Sequence, residues 1–223
     1  MNGTAPRRGG SSLLPLAVLC VALLFGGIAV GVALGGVMPL PYGPVAAVAA
    51  YVRAQPVAVG VIAVATFASS IPLAIYAAAA SARLRRLGAA AGAEVALTGG
   101  ILAAGALGLC GLLAWPLSRP EVAADTTLVR ALYLLVFLVG GPGHIVALGL
   151  LVAGIAVPSL NRGLLPRPVA WAGLGTAGLA ESATVVLFWP ALGVILPVAR
   201  VLALSWLVLA GALLPLRRND IRE

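Results

Sequence analysis

Glu181, His144 and Arg200 are the residues of this chain whose types and settings could do chemistry, because each interrupts an otherwise apolar run. Glu181 stands about 20 Å along a helix that starts near Arg167, at 1.5 Å of rise per residue. A carboxyl at that depth in lipid is costly unless it is paired, protonated or open to a cavity. If protonated it would serve as a general acid. If ionised it needs a cation, and Arg200 lies at a comparable depth just across a tight turn. The first expectation is therefore a Glu181–Arg200 ion pair. It would either lock a helix hairpin or form a polar ligand site with Ser182 and Trp189 beside it. His144 follows Gly140-Gly141-Pro142-Gly143, where Pro142 removes one backbone donor and frees a carbonyl inside the span. That arrangement suits a ligand or proton site, and equally a kinked helix whose histidine donates to a neighbouring carbonyl.

These residues need elements to hold them, and composition says which. The chain has 223 residues, 62% of them hydrophobic and only 9% charged. Its mean hydropathy is +1.13. A soluble domain carries about 25% charge, so a water-soluble globule, a disordered chain and a disulfide scaffold are excluded. Six runs, at 13–38, 56–80, 94–117, 130–157, 168–188 and 193–215, are long enough for a hydrocarbon core that needs about 20 residues. Backbone groups in lipid must be paired within the segment, so these runs are helices. The alternation of a barrel strand is absent. The expected fold class is all-α, a polytopic membrane protein built as a bundle of six transmembrane helices. It forms one domain over 13–215, between tails at 1–12 and 216–223. The 39–55 stretch is too apolar for a free loop and suits a helix lying on the membrane face. Trp115, Trp189 and Tyr42 fall where one aromatic belt would be, and Trp171 near the other.

All 14 basic residues are arginines, and they punctuate the ends of apolar runs. Arg7, Arg8, Arg83, Arg85, Arg86, Arg162, Arg167, Arg217, Arg218 and Arg222 fall on one side; Arg53, Arg119, Arg130 and Arg200 fall on the other. That asymmetry puts both termini in the cytoplasm. It also accounts for the net charge of +8 without a nucleic-acid partner. The lack of lysine suggests a GC-rich coding sequence, hence a bacterial cytoplasmic membrane. The 13–38 run exceeds the 7–15 residues of a signal h-region and is read as an uncleaved first span. Cys20 and Cys110 lie at different depths, which excludes a disulfide between them.

The remaining polar and small residues have structural readings. Gly27, Gly31 and Gly35 form a GxxxGxxxG stripe that lets another helix approach closely, within the chain or in a homo-oligomer. Gly100, Ala104, Gly108 and Gly111 form a similar face. Glu94 is placed to complement the dipole of the third span. Glu121 and Asp125 belong to a solvated loop or to a lid. Thr66, Ser69, Ser70 and Pro72 make a polar, bent segment of the second span. No metal-ligand cluster, Walker loop or GxSxG elbow is present, so no metal or cofactor is expected.

Arg83-Leu84-Arg85-Arg86-Leu87-Gly88, Leu164-Leu165-Pro166-Arg167, Ala170-Trp171-Ala172-Gly173-Leu174 and Leu213-Leu214-Pro215 together resemble stretches of an uncharacterised family of six-span bacterial integral membrane proteins. The resemblance implies a six-helix bundle and brings no activity with it. Functionally, three expectations stand. The chain binds or moves a small apolar or amphipathic, lipid-like molecule in a cavity facing outward or to the outer leaflet. Alternatively, it is an intramembrane acid–base enzyme on an isoprenoid or lipid. There Glu181 and His144 would be catalytic, and Phe188, Trp189 and Trp206 would stabilise a cation. A third reading is an accessory subunit that packs through its glycine stripe.

Overall fold

The computed structural model describes residues 13–40 and 43–216. Tyr42 and the tail arginines Arg7, Arg8, Arg217, Arg218 and Arg222 lie outside the described residues. Helices α1 (Leu13–Gly35), α2 (Val45–Ala54), α3 (Pro56–Arg86) and α4 (Ala90–Ala114) come first. A 3-10 turn at Trp115–Ser118 and the short α5 (Pro120–Ala124) lead into α6 (Thr126–Leu138). A π turn, Val139–Gly143, joins α6 to α7 (His144–Arg162). Then follow α8 (Arg167–Ser182), 3-10 segments Ala183–Leu187 and Pro190–Val194, and α9 (Ile195–Leu213).

Five helices are long and apolar enough to cross a membrane: Leu13–Gly35, Pro56–Arg86, Ala90–Ser118, Thr126–Arg162 and Pro190–Leu213. The run at 168–188 is not one of them. Its α-helix holds 16 residues before the winding tightens to 3-10 at Ala183. The other runs also have different ends from those expected. Gly36, at φ 75°, closes α1 before Met38. The Pro56 and Thr126 helices run past the apolar stretch to Arg86 and Arg162. The 37-residue Thr126–Arg162 helix is about 55 Å long, well beyond a ~30 Å hydrocarbon core. Hydropathy marks the part of a helix that sits in lipid, whereas hydrogen bonding carries it on past the interface.

The long helices close a ring. α1 packs on α3, α3 on α4, α4 on α7, α7 on α8, α8 on α9, and α9 returns to α1. Small residues set the close contacts. Gly27, Gly31 and Gly35 face Ala65, Ile62 and Ala58 of α3, so the glycine stripe is covered within the chain. Gly100 lies on Ala77, Gly108 on Ser70 and Gly111 on Phe67, which seats α4 on the opposite flank of α3. Gly211 of α9 abuts Leu13 and Leu14, which brings the two described ends of the chain to the same face of the bundle.

That face holds the largest core, including Leu13, Leu84, Leu87, Leu164, Leu165 and Leu214. Here residues 83–88, 164–167, 170–174 and 213–215 meet. Arg83 Nη1 donates to Leu214 O at 3.2 Å. Gly173 lies under the Trp206 indole, whose Nε1 donates to Val169 O at 2.8 Å. These stretches thus form a structural latch. At the other face α2 packs with the start of α3, the 3-10 turn and α6 in a smaller core. Tyr133 closes it by donating to Pro39 O at 2.5 Å, and Tyr51 by donating to Gly36 O at 3.1 Å. Partial burial raises the Tyr51 phenol above its ordinary range and keeps it a donor.

Candidate functional site

The expected Glu181–Arg200 pair is not formed. Among the described residues the one ion pair is Arg85–Glu94, at 3.1 Å. Arg200 instead donates from Nη2 to the carbonyl of Gly140. The reason lies in the π turn. Pro142 has no N–H, and the helix slips register so that the amide of His144 bonds to Val139 O and Gly141 O. Gly140 O is passed over, and a bare carbonyl in the interior attracts the nearest strong donor. Glu181 is exposed, and its carboxyl lies over Gly149 of α7, where a Cβ would stand 3.1 Å from Oε1.

His144 is completely buried, and its Nδ1 sits 2.9 Å from Ala103 O of α4. A carbonyl only accepts, so Nδ1 carries the proton and Nε2 presents a lone pair. The structure therefore brings His144 and Arg200 to one π turn and leaves Glu181 elsewhere. His144 faces α4, whereas Gly149, five residues on, faces α8. At 3.6 residues per turn those directions differ by roughly 140°.

The other candidates are taken up locally. Ser182 donates to Leu179 O at 2.6 Å and Thr184 to Glu181 O at 2.9 Å. Trp189 is exposed and tilted against Phe188, with ring centroids 6.3 Å apart. Trp206 belongs to the latch near the chain ends, not to Glu181. Ser69 and Ser70 bond back to Thr66 O and Phe67 O, beside the gap that Pro72 opens in α3. Glu94 lies beyond the first turn of α4, which begins at Ala90, and pairs with Arg85 instead of serving the helix end. Asp125 is the N-cap of α6, accepting from the amides of Thr127 at 2.8 Å and Leu128 at 3.1 Å. Arg200, counted by sequence on the outer side, lies within the bundle. Cys20 and Cys110 are both free thiols.

A second locus was not anticipated. A groove of about 650 Å³ runs along α3 from Pro56 past Gly60, Val61 and Val64 to Ala68, walled by Leu23 of α1 and by Trp115, Ser118 and Arg119. Gly60, Ala65 and Ala68 keep its floor low. Along the helix this is about 18 Å, close to one leaflet's share of the core. Arg119 marks the Pro56 end, its guanidinium 4.3 Å from the centre of the Trp115 ring. Stacking on an aromatic face holds a guanidinium in place while leaving its donors free. The sequence signal was the Trp115/Arg119 spacing of four. It could be read only once the 3-10 turn Trp115–Ser118 was known to bring Arg119 back over the ring.

Comparison with protein-family models, with curated proteins and with solved structures found no match.

Proposed function

We propose that this chain is a membrane-embedded binding protein that holds one anionic amphiphile in the α3 groove. The acidic head would lie at Arg119 and the apolar tail along Val57, Val61 and Val64. The carrying observation is the pairing of one cation, fixed on Trp115, with an apolar trough as long as a leaflet is deep. A trough alone would accept any lipid. The guanidinium adds selectivity, because its fork matches phosphate and carboxylate oxygens.

Six crossings of a bacterial cytoplasmic membrane, with both termini in the cytoplasm, belong to the same proposal. Leu13 beside Gly211 supports it, since ends on one face require an even number of crossings. α8 and its 3-10 extension, with 16 and 5 residues, together rise about 34 Å, enough for a sixth. Removing Arg200, whose guanidinium is tied to Gly140 O within the bundle, from the outer count sharpens the arginine asymmetry. On that orientation the groove faces the outer leaflet. Acid–base catalysis by Glu181 with His144 has less support, because the two residues point to different neighbours.

Native mass spectrometry of the detergent-solubilised protein tests this reading. Phosphatidylglycerol should be retained in preference to phosphatidylcholine, and Arg119→Gln should abolish the preference. Equal retention of both lipids by the unaltered protein would refute it.

A further inference from the structure

The π turn brings together two unpaired, buried nitrogens that the groove does not use. Gly140 and His144 lie one turn apart on the same side of their helix, against Cys110 and Ala103 of α4. Arg200 enters from α9 and spends Nη2 on Gly140 O. Its Nε–H has no partner, and neither does His144 Nε2; both atoms are shielded from solvent. The guanidinium is close enough to act electrostatically on both His144 and Cys110. Among the described residues no carboxylate pairs with Arg200. A half-buried cation with no carboxylate partner and a shielded Nε–H that has no acceptor is a costly unsatisfied group.

We propose that this locus is an internal site for one small monovalent anion, taken up together with one proton. The proton goes to His144 Nε2, so that Arg200 Nε–H and the imidazolium Nε2–H both donate to the anion. One negative and one positive charge arrive together, and the net charge inside the bundle stays at that of Arg200. The groups facing His144 are the Cys110 side of α4 and Arg200 of α9. The carboxyl of Glu181 on α8 lies over Gly149, on another side of α7. The site is built on a π turn, and such turns recur at functional sites.

Thermal unfolding of the purified protein in sodium chloride against sodium gluconate, at matched ionic strength, reads the site. The Tm should rise by several degrees in chloride. Over about pH 5 to 8 the half-saturating chloride concentration should grow by up to about tenfold per pH unit, as uptake of one proton requires. His144→Gln keeps an amide donor for Ala103 O but cannot titrate, so any remaining chloride effect should lose its pH dependence. Arg200→Gln should lose the effect altogether. Should that variant not fold, bromide located by anomalous scattering in crystals of the unaltered protein should lie beside Arg200 Nε. Identical Tm in chloride and gluconate across the pH range overturns the proposal. So does unchanged pH dependence in His144→Gln, or bromide absent from Arg200.

Discussion

Arg200 and Glu181, on neighbouring helices, meet the Thr126–Arg162 helix at points nine residues apart: the guanidinium donates to Gly140 O and the carboxyl lies over Gly149. Gly140 O, which loses the His144 amide where the π turn slips the register, takes the guanidinium, and the carboxylate lies farther along the helix. The polar residues of the bundle are thus arranged around a broken helix.

This relationship predicts independence. In a double-mutant cycle of Glu181→Gln and Arg200→Gln, measured by unfolding in detergent, the two effects should add to within about 0.5 kcal/mol. Glu181→Gln alone should be close to neutral. A coupling energy well above that value would restore the ion pair.

The latch at the chain ends predicts a sharp contrast between glycines. A Cβ at Gly173 would lie 2.5 Å from the Trp206 indole, whereas one at Gly178 meets nothing within 4 Å. Gly173→Ala should cost about 1–3 kcal/mol through overpacking. Gly178→Ala should be neutral or stabilise by up to about 1 kcal/mol. Melting of the two variants side by side checks both.

Tyr76 is buried in the same core and donates to Leu207 O at 2.9 Å, tying α3 to α9. Tyr76→Phe leaves that carbonyl without the phenol. The expected loss is about 1–3 kcal/mol, read as a lower unfolding midpoint with unchanged helix content.

Asp125 starts α6 by accepting from two amides. Asp125→Ala should destabilise by about 0.5–2 kcal/mol. Faster hydrogen exchange at Thr127 and Leu128 would localise the loss to that helix end.

How much of this could be read in the residues follows from what periodicity and rise encode. The all-helical membrane class was legible, because apolar length and arginine placement respond directly to lipid. The break at Gly140–Gly143 was legible too, since Pro142 must free a carbonyl. That the register slip would bare Gly140 O for Arg200 was not. Rise per residue places Arg200 and Glu181 at one depth but says nothing of the direction in which each points. Asp125 carried its capping signal, Asp-Thr-Thr before an apolar run, yet read as loop because Arg119 and Glu121 around it are solvent-loving. The groove was hidden for another reason. Its floor is made of missing side chains at Gly60, Ala65 and Ala68, and its walls come from α1 and the 3-10 turn, which only packing brings together. The short α8 was overextended because hydropathy does not register the change from α to 3-10 winding at Ala183.

The most direct measurement for the amphiphile site is quenching of Trp115 fluorescence by phosphatidylglycerol carrying bromine on its acyl chains. The difference between the unaltered protein and Trp115→Phe isolates that residue's signal. The account predicts saturable quenching of the Trp115 component by the brominated anionic lipid. It predicts much weaker quenching by brominated phosphatidylcholine, and loss of the distinction in Arg119→Gln. Equal quenching by both lipids, unaffected by Arg119→Gln, would show a bundle surrounded by bulk lipid with no site in the groove.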